Sequence, residues 1–471
     1  MADKGGYNPY EHRDVENPLS NFGAFISLLK CVVGTGILAL PLAFYYAGII
    51  CGTILLIAVA FILIHGMQLL IMCMIECARR QQMGYCTFPL SMKFSLGEGP
   101  RFFKCIAKAG AIICYIVLIT SHYGVCVVYL VFVSENLKQM FDFHVTELNV
   151  RIYVAIVGLF LMAPFMIRSL KWLVPFNLLA SICIYLGFTC IIYYLFKDLP
   201  PISDRAVFFG QVSYLPNFFG IALFSITSVG VMLAIESKME HPEQYIGWFG
   251  ILDLAIVVVI ISYVFFGVMG YWKFGNEIQG SITLNLPIEE TVAQISKTFI
   301  MIAIFFTYPL SGYVVIDIIM NQFWNRNGDL QHAVLKEYIV RIIFVLISTI
   351  NAAAFPKLGP LLTLVGAFTI SLLNIIFPAF MEICLLFPAE YNYGMLKWKL
   401  VKDILLIIFG TFVLVLGSHS AIKEMINEWG EKTTAEPTTT EVTTELGTTV
   451  VAPPAQAPPA FLRFFEDDTL V

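Results

Sequence analysis

Charge is what this chain has least of. Asp, Glu, Lys and Arg supply 13% of its 471 residues against 58% hydrophobic side chains, and mean hydropathy is +0.81. A soluble globule of this length would need far more polar surface, so the composition describes an integral membrane protein. Other absences narrow the function. There is no GxxxxGK[ST] loop and no HExxH pair, and Gly34-x-Gly36 lacks the strand-turn-helix setting of a dinucleotide site. The longest hydrophilic loop on the inner side, near Ala78 to Lys108, is too short for a nucleotide-binding portion, so neither an enzyme nor an ATP-driven pump is expected. No Asn-x-Ser/Thr sequon occurs. Residues Met1 to Asn21 carry no apolar run followed by a small-residue cleavage site, so no removable signal peptide is read. Eleven cysteines are present, but none falls in an outer loop; buried cysteine behaves as a small hydrophobe, and Cys73 with Cys77 reads as a helical face. No disulfide, structural metal, cofactor or nucleic-acid partner is expected.

What fills the chain is apolar runs of bilayer length. About eleven candidate spans can be drawn, at approximately 22–50, 52–77, 109–134, 150–167, 172–196, 214–235, 246–271, 291–320, 338–354, 360–387 and 403–422. The expected architecture is an all-α membrane protein with the lipid bilayer as its main partner. Basic residues orient it. With the N-terminus cytoplasmic, the inner loops hold 17 Lys and Arg and the outer loops 7, the asymmetry of the positive-inside rule. The polar segment 1–21 reads as a cytoplasmic tail outside the packed body. Residues 425–471, rich in Thr, Pro and Glu, read as disordered. The final Asp468-Thr469-Leu470-Val471 suits a PDZ groove, which is cytosolic, whereas an odd span count puts this end outside; either the match is chance, the simpler reading, or the span count is off by one.

The most informative residues interrupt a span. Val33, Gly34, Thr35 and Gly36 sit inside the first apolar run, shortly before Pro41. In hydrocarbon, unwound backbone persists only where protein or a water-filled cavity satisfies it. Phe224, Ser225, Ile226, Thr227 and Ser228 before Gly230 form a second such place, in the sixth span. Interruptions at matching positions in two halves of a chain mark a transporter's substrate pocket. Against this, glycines also serve close helix packing, and Ser or Thr can bond back to their own helix.

Several segments resemble the proton-coupled amino acid transporters of the amino acid/auxin permease group. They are Val33-Gly34-Thr35-Gly36-Ile37-Leu38-Ala39-Leu40-Pro41 and Gly280-Ser281-Ile282-Thr283-Leu284-Asn285-Leu286-Pro287, with Tyr7-Asn8-Pro9, His12-Arg13-Asp14-Val15-Glu16, Glu135-Asn136, and Gly230-Val231 with Glu236. The resemblance implies a five-plus-five inverted repeat with spans one and six broken, repeat one over about 22–196 and repeat two over about 214–387, an extra helix at about 403–422 and a transporter domain closing near 424. It also implies a zwitterion held by backbone, its carboxylate at the half-helix N-terminus after Gly36 and its ammonium at carbonyls around Ser225 to Ser228.

Two departures bear on coupling. Ser27 stands where many members carry the histidine linked to protons, and Thr227 stands where many carry a glutamate. His65 and His122, each near the middle of a span, are the replacement candidates, since an intramembrane ionisable group is by default functional. Glu76, Asp317 and Glu382, near inner span ends, are expected to reach the interface. The expected function is a secondary carrier of small neutral amino acids at the plasma membrane or a lysosomal membrane, linked to protons. The alternatives are an uncoupled facilitative carrier and an amino acid sensor whose N-terminal tail recruits cytosolic signalling partners; a channel fits less well.

Overall fold

In the computed structural model, residues 7–434 are described, apart from 14, 16–17, 33, 144–146, 169, 227–228, 248, 325–332 and 389–392. The helices are α1 (Asn21–Val32), α2 (Thr35–Ala47), α3 (Ile49–Arg80), α4 (Phe88–Glu98), α5 (Arg101–Asp142), α6 (Val150–Phe165), α7 (Leu170–Phe196), α8 (Leu215–Ile226), α9 (Val229–Glu236), α10 (Ile251–Phe274), α11 (Thr291–Ile318), α12 (Ala333–Ala354), α13 (Leu358–Val365), α14 (Phe377–Leu385) and α15 (Trp398–Thr434). A π-helical stretch, Gly366–Ile376, joins α13 to α14 into one span.

Among the described residues, nine helical segments are long and apolar enough to cross a bilayer, and the bent pair α1–α2 supplies a tenth. Adding α6, apolar but only 16 residues long, reproduces the expected eleven. Its rise of about 1.5 Å per residue falls short of a hydrocarbon core of about 30 Å, so the bilayer must thin there or the flanks must enter it. The helices are apolar on both faces because both are dry. On α3, Leu56, Val59, Ala60, Leu63 and Met67 are buried at helical spacing while Ile54, Ile57 and Phe61 are 62%, 50% and 74% exposed, as a lipid-facing stripe requires. Helix α2 is buried almost all round, as is α13, which puts the first and tenth spans toward the centre.

Several contacts of the bundle recur when each span is exchanged for the one five further on. Span one lies on seven through α2 and α10, and its counterpart, two on six, is α3 on α8. Five on eight (α7, α11) is answered by three on ten, with α5 against α13 and the π segment; three on nine (α5, α12) is answered by four on eight (α6, α11). Of the five pairs that map onto themselves under this exchange, four are in contact: α2 with α8, α3 with α10, α5 with α11 and α6 with α12. Five is odd, so two such halves cross the membrane in opposite senses and the repeat is inverted.

Three expectations need correction. The N-terminal segment is packed against the bundle: Leu19 N–H donates to Lys238 O at 2.8 Å, Glu240 N–H donates to Leu19 O at 3.0 Å, and a Cβ on Gly84 would stand 2.1 Å from His12 O. Arg13 and the backbone around Leu19 find partners on other spans that a composition reading cannot see. Glu76 and Glu382 do not reach out to an interface; they are 5% and 4% exposed, paired with Arg79 and Arg80 and with Lys402 respectively. Helix α15 continues to Thr434, past the expected start of the disordered tail at 425, because its periodic pattern persists through Met425. The C-terminal Thr469-Leu470-Val471 lies outside the described residues, and all eleven cysteines are free.

Candidate substrate site at the helix breaks

Helices α1 and α2 meet at 54°. Gly34 is extended, with φ −157° and ψ −146°, and as N-cap of α2 it brings no side chain to the first amides of that helix. Those amides have no intrahelical acceptor and carry the positive end of the helix dipole. Beyond its chain neighbours, no described atom lies within 4 Å of where a Cβ on Gly34 would stand, so there is room beside them. Val33, the other member of the break, lies outside the described residues.

The sixth span stands directly against this point. A Cβ on Gly36 would sit 2.5 Å from Ser225 Cα, so glycine here is what lets α2 and α8 touch backbone to backbone. The Ser225 hydroxyl lies 2.9 Å from Gly36 O and 2.7 Å from Ile221 O and shares its proton between them. Helix α8 ends at Ile226 and α9 begins at Val229; Thr227 and Ser228, between them, lie outside the described residues. Thr35 and Ser225 are 2% and 3% exposed, Ile226 is buried and Phe224 half-buried.

Tyr263 of α10 ties the two breaks together. Its hydroxyl is 2.7 Å from Val32 O, the last carbonyl of α1, and 2.8 Å from Ser225 O, and the side chain is fully buried. Each carbonyl is one that a helix end leaves unpaired. Nothing in sequence singled Tyr263 out from the chain's 21 tyrosines, because its partners are 231 and 38 residues away.

The histidines separate. His122 of α5 reaches the second break, where a Cβ on Gly230 would come within 2.7 Å of its Nε2. His65 of α3 instead lies in the field of Lys402 and Glu382, with Nε2 buried and without a hydrogen-bond partner. Ser27 is half-buried on α1.

Both approaches to the breaks are covered. At one end Arg13 forms a 2.9 Å ion pair with Glu236 at the end of α9, donates to Gly84 O at 3.2 Å, and lies 4.9 Å and 5.2 Å from the ring centres of Tyr10 and Tyr85. Burial first, then the Glu236 charge, pushes both phenols above their ordinary range, which keeps them neutral. At the other end the segment 206–210 runs along the α2–α3 corner: Ile49 N–H donates to Ala206 O at 3.1 Å, Ile50 N–H to Val207 O at 2.9 Å, and Gly210 N–H to Ala47 O at 2.8 Å. Tyr46 stacks on Tyr214 there at 5.3 Å. The bend between α1 and α2, set against α8 and flanked by these two sets of contacts, is an arrangement suited to holding a small solute.

Residues 17–423 match the family described as transmembrane amino acid transporter protein. The chain is 31% identical over 424 residues to the proton-coupled amino acid transporter-like protein pathetic of Drosophila melanogaster, covering 90% of this chain and 89% of that one. It is 28% identical over 435 residues to amino acid transporter AVT3C of Arabidopsis thaliana, covering 87% and 92%. Among solved structures it is similar to the inward-facing conformation of Mhp1, with TM-score 0.48, 12% identity, and coverage of 90% and 92%.

Proposed function

The chain belongs to the transmembrane amino acid transporter family, whose members are carriers rather than enzymes, and from that premise we propose that it moves small neutral amino acids by alternating access, linked to protons. One observation carries the reading: α2 amides with no side-chain cap beside open space at Gly34, in a helix that touches α8 backbone to backbone at Gly36 and Ser225. An α-carboxylate fits the amides and dipole of α2, and an α-ammonium fits carbonyls at the ends of α1 and α8. Thr35, Gly36 and Ser225, the described residues at this point, bring no charged side chain to pair with a substrate's own, which favours short neutral side chains over Lys, Arg, Asp or Glu. Protons are proposed as the coupling ion because the chain places ionisable groups, His65 and His122, inside its spans.

The positive-inside asymmetry supports a cytoplasmic N-terminus. The Arg13–Glu236 pair then serves as the cytoplasmic gate. Its position also favours a second reading, in which the N-terminal segment reports transport state to cytosolic partners when the gate releases it; plasma membrane and lysosome both suit either reading.

The test is uptake of labelled alanine, glycine and proline into liposomes holding the purified full-length protein, with and without an inward proton gradient. Saturable uptake by wild type, abolished in Gly36→Val, is expected. Well-folded protein that moves no amino acid at all would end this reading.

A further inference from the structure

A second group of ionisable side chains lies away from the helix breaks, where α14, α15 and α3 meet. Lys402 Nζ is 2.6 Å from Glu382 Oε2 and 3.1 Å from Asp403 Oδ1. Glu382 is 4% exposed and Asp403 is fully buried. Neither Asp403 carboxyl oxygen accepts a well-aligned hydrogen bond, although Lys402 Nζ stands within ion-pair distance of Oδ1. Facing this trio are His65 and Cys73 from α3 and Tyr393 from the turn between α14 and α15, the last donating its own hydroxyl to Ile383 O at 3.0 Å. His65 Nε2 is also buried and unpartnered.

Two carboxylates sharing one ammonium leave a net negative charge out of water. Low dielectric penalises that charge heavily unless it is neutralised, and a second carboxylate beside the first raises the penalty further. The cheapest neutralisation is a single proton, held by one member of the acid pair and titrating as a property of both. Lys402 braces the pair from a partly exposed position, its side chain 21% accessible.

We propose that Glu382 and Asp403, bridged by Lys402 and facing His65, form a site that holds one exchangeable proton, and that this is where a proton enters the transport cycle. The second half of the statement rests on the carrier reading above. The site is coupled to moving parts. Glu382 sits on span ten, Asp403 on span eleven and His65 on span two, and beside His65 a Cβ on Gly66 would stand 1.9 Å from Asn374 O, so spans two and ten touch backbone to backbone about two turns of helix before Glu382. Span two in turn packs on α8. Gain or loss of the proton changes the charge between surfaces that must slide if α8 is to move.

Two measurements on the purified full-length protein test this. The first is infrared titration of the protonated carboxyl signal, which needs no substrate and no transport. Wild type should show a carboxyl that gains and loses its proton with pH, and Asp403→Asn or Glu382→Gln should remove that signal while Asp317→Asn, on an exposed residue, leaves it. The second is labelled alanine in liposomes, comparing proton-driven accumulation with alanine–alanine exchange. Both acid variants should keep exchange and lose the stimulation by a proton gradient. A carboxyl signal unchanged in both variants overturns the site, and gradient stimulation unchanged in both overturns its role in coupling. If wild type moves no amino acid, the carrier reading fails, and the proton site stands or falls on the infrared result alone.

Discussion

Replacing Tyr263 with phenylalanine removes one oxygen and nothing else from the centre of the molecule. The ring stays, so no cavity opens in the packing around α10. What is lost is the hydroxyl 2.7 Å from Val32 O and 2.8 Å from Ser225 O, with the side chain fully buried. The phenol has one proton, so the loss is that of one shared hydrogen bond, about 1 kcal/mol net, plus the cost of stranding a buried carbonyl, which brings the total to about 1–3 kcal/mol. If the bridge exists in the closed state and is broken when the half-helices rotate apart, that energy falls on the closed state alone. The closed-to-open ratio then drops by about 5-fold to 150-fold. The assay is liposome uptake of labelled alanine with KM and turnover separated, alongside thermal unfolding in detergent. Tyr263→Phe should unfold at slightly lower temperature and transport with higher KM or lower turnover by at least the smaller factor. Wild-type kinetics and wild-type unfolding together would refute the idea that this hydroxyl holds the two breaks in register.

Gly34 and Gly36 should answer differently to alanine. At Gly36 the new Cβ meets Ser225 Cα at 2.5 Å and forces α2 off α8, so uptake should be lost and unfolding temperature lowered. At Gly34 the added methyl has open space and an extended backbone any residue adopts, so Gly34→Ala should fold normally and discriminate more sharply against larger substrates in competition assays. Arg13→Ala strands Glu236, whose side chain is 1% exposed, at a cost of about 3–5 kcal/mol for a broken buried pair. That end of the bundle should open, read as faster thiol labelling of Cys86, which lines the same hollow. On the opposite loop, hydrogen bonds from Lys197 and then Tyr194 hold the Glu290 carboxyl below its ordinary range. A depressed folded-state pKa contributes stability above the unfolded value and loses it as pH falls through the folded one, so Glu290→Gln should flatten the acid limb of the unfolding-temperature profile and leave neutral pH little changed.

The spans were legible because a bilayer imposes two local rules: apolar length and satisfied backbone. Both act on contiguous residues, which is why the eleven segments and the interruption at Gly34 could be read one window at a time. Gly36 and Ser225 were found for the same reason, each as an oddity within its own apolar run, although that they touch was not visible. The elements that were missed obey no local rule. Arg13 looked like part of a loose polar tail because its partner, Glu236, is 223 residues on. Glu382, one charge in an otherwise apolar run, looked like a residue on its way to the interface, and only the fold sets it against Lys402 and Asp403.

Sequence alone therefore decided that this chain lives in a membrane, how many times it crosses, and where its central helix comes apart, since those follow from the cost of placing each stretch of backbone in hydrocarbon. The three-dimensional arrangement decided what stands at the break, what closes it and which buried charges share a counter-ion. Those outcomes depend on which carbonyls and carboxylates from distant spans end up within hydrogen-bonding distance, and a one-dimensional pattern of apolar and polar residues carries no record of that distance.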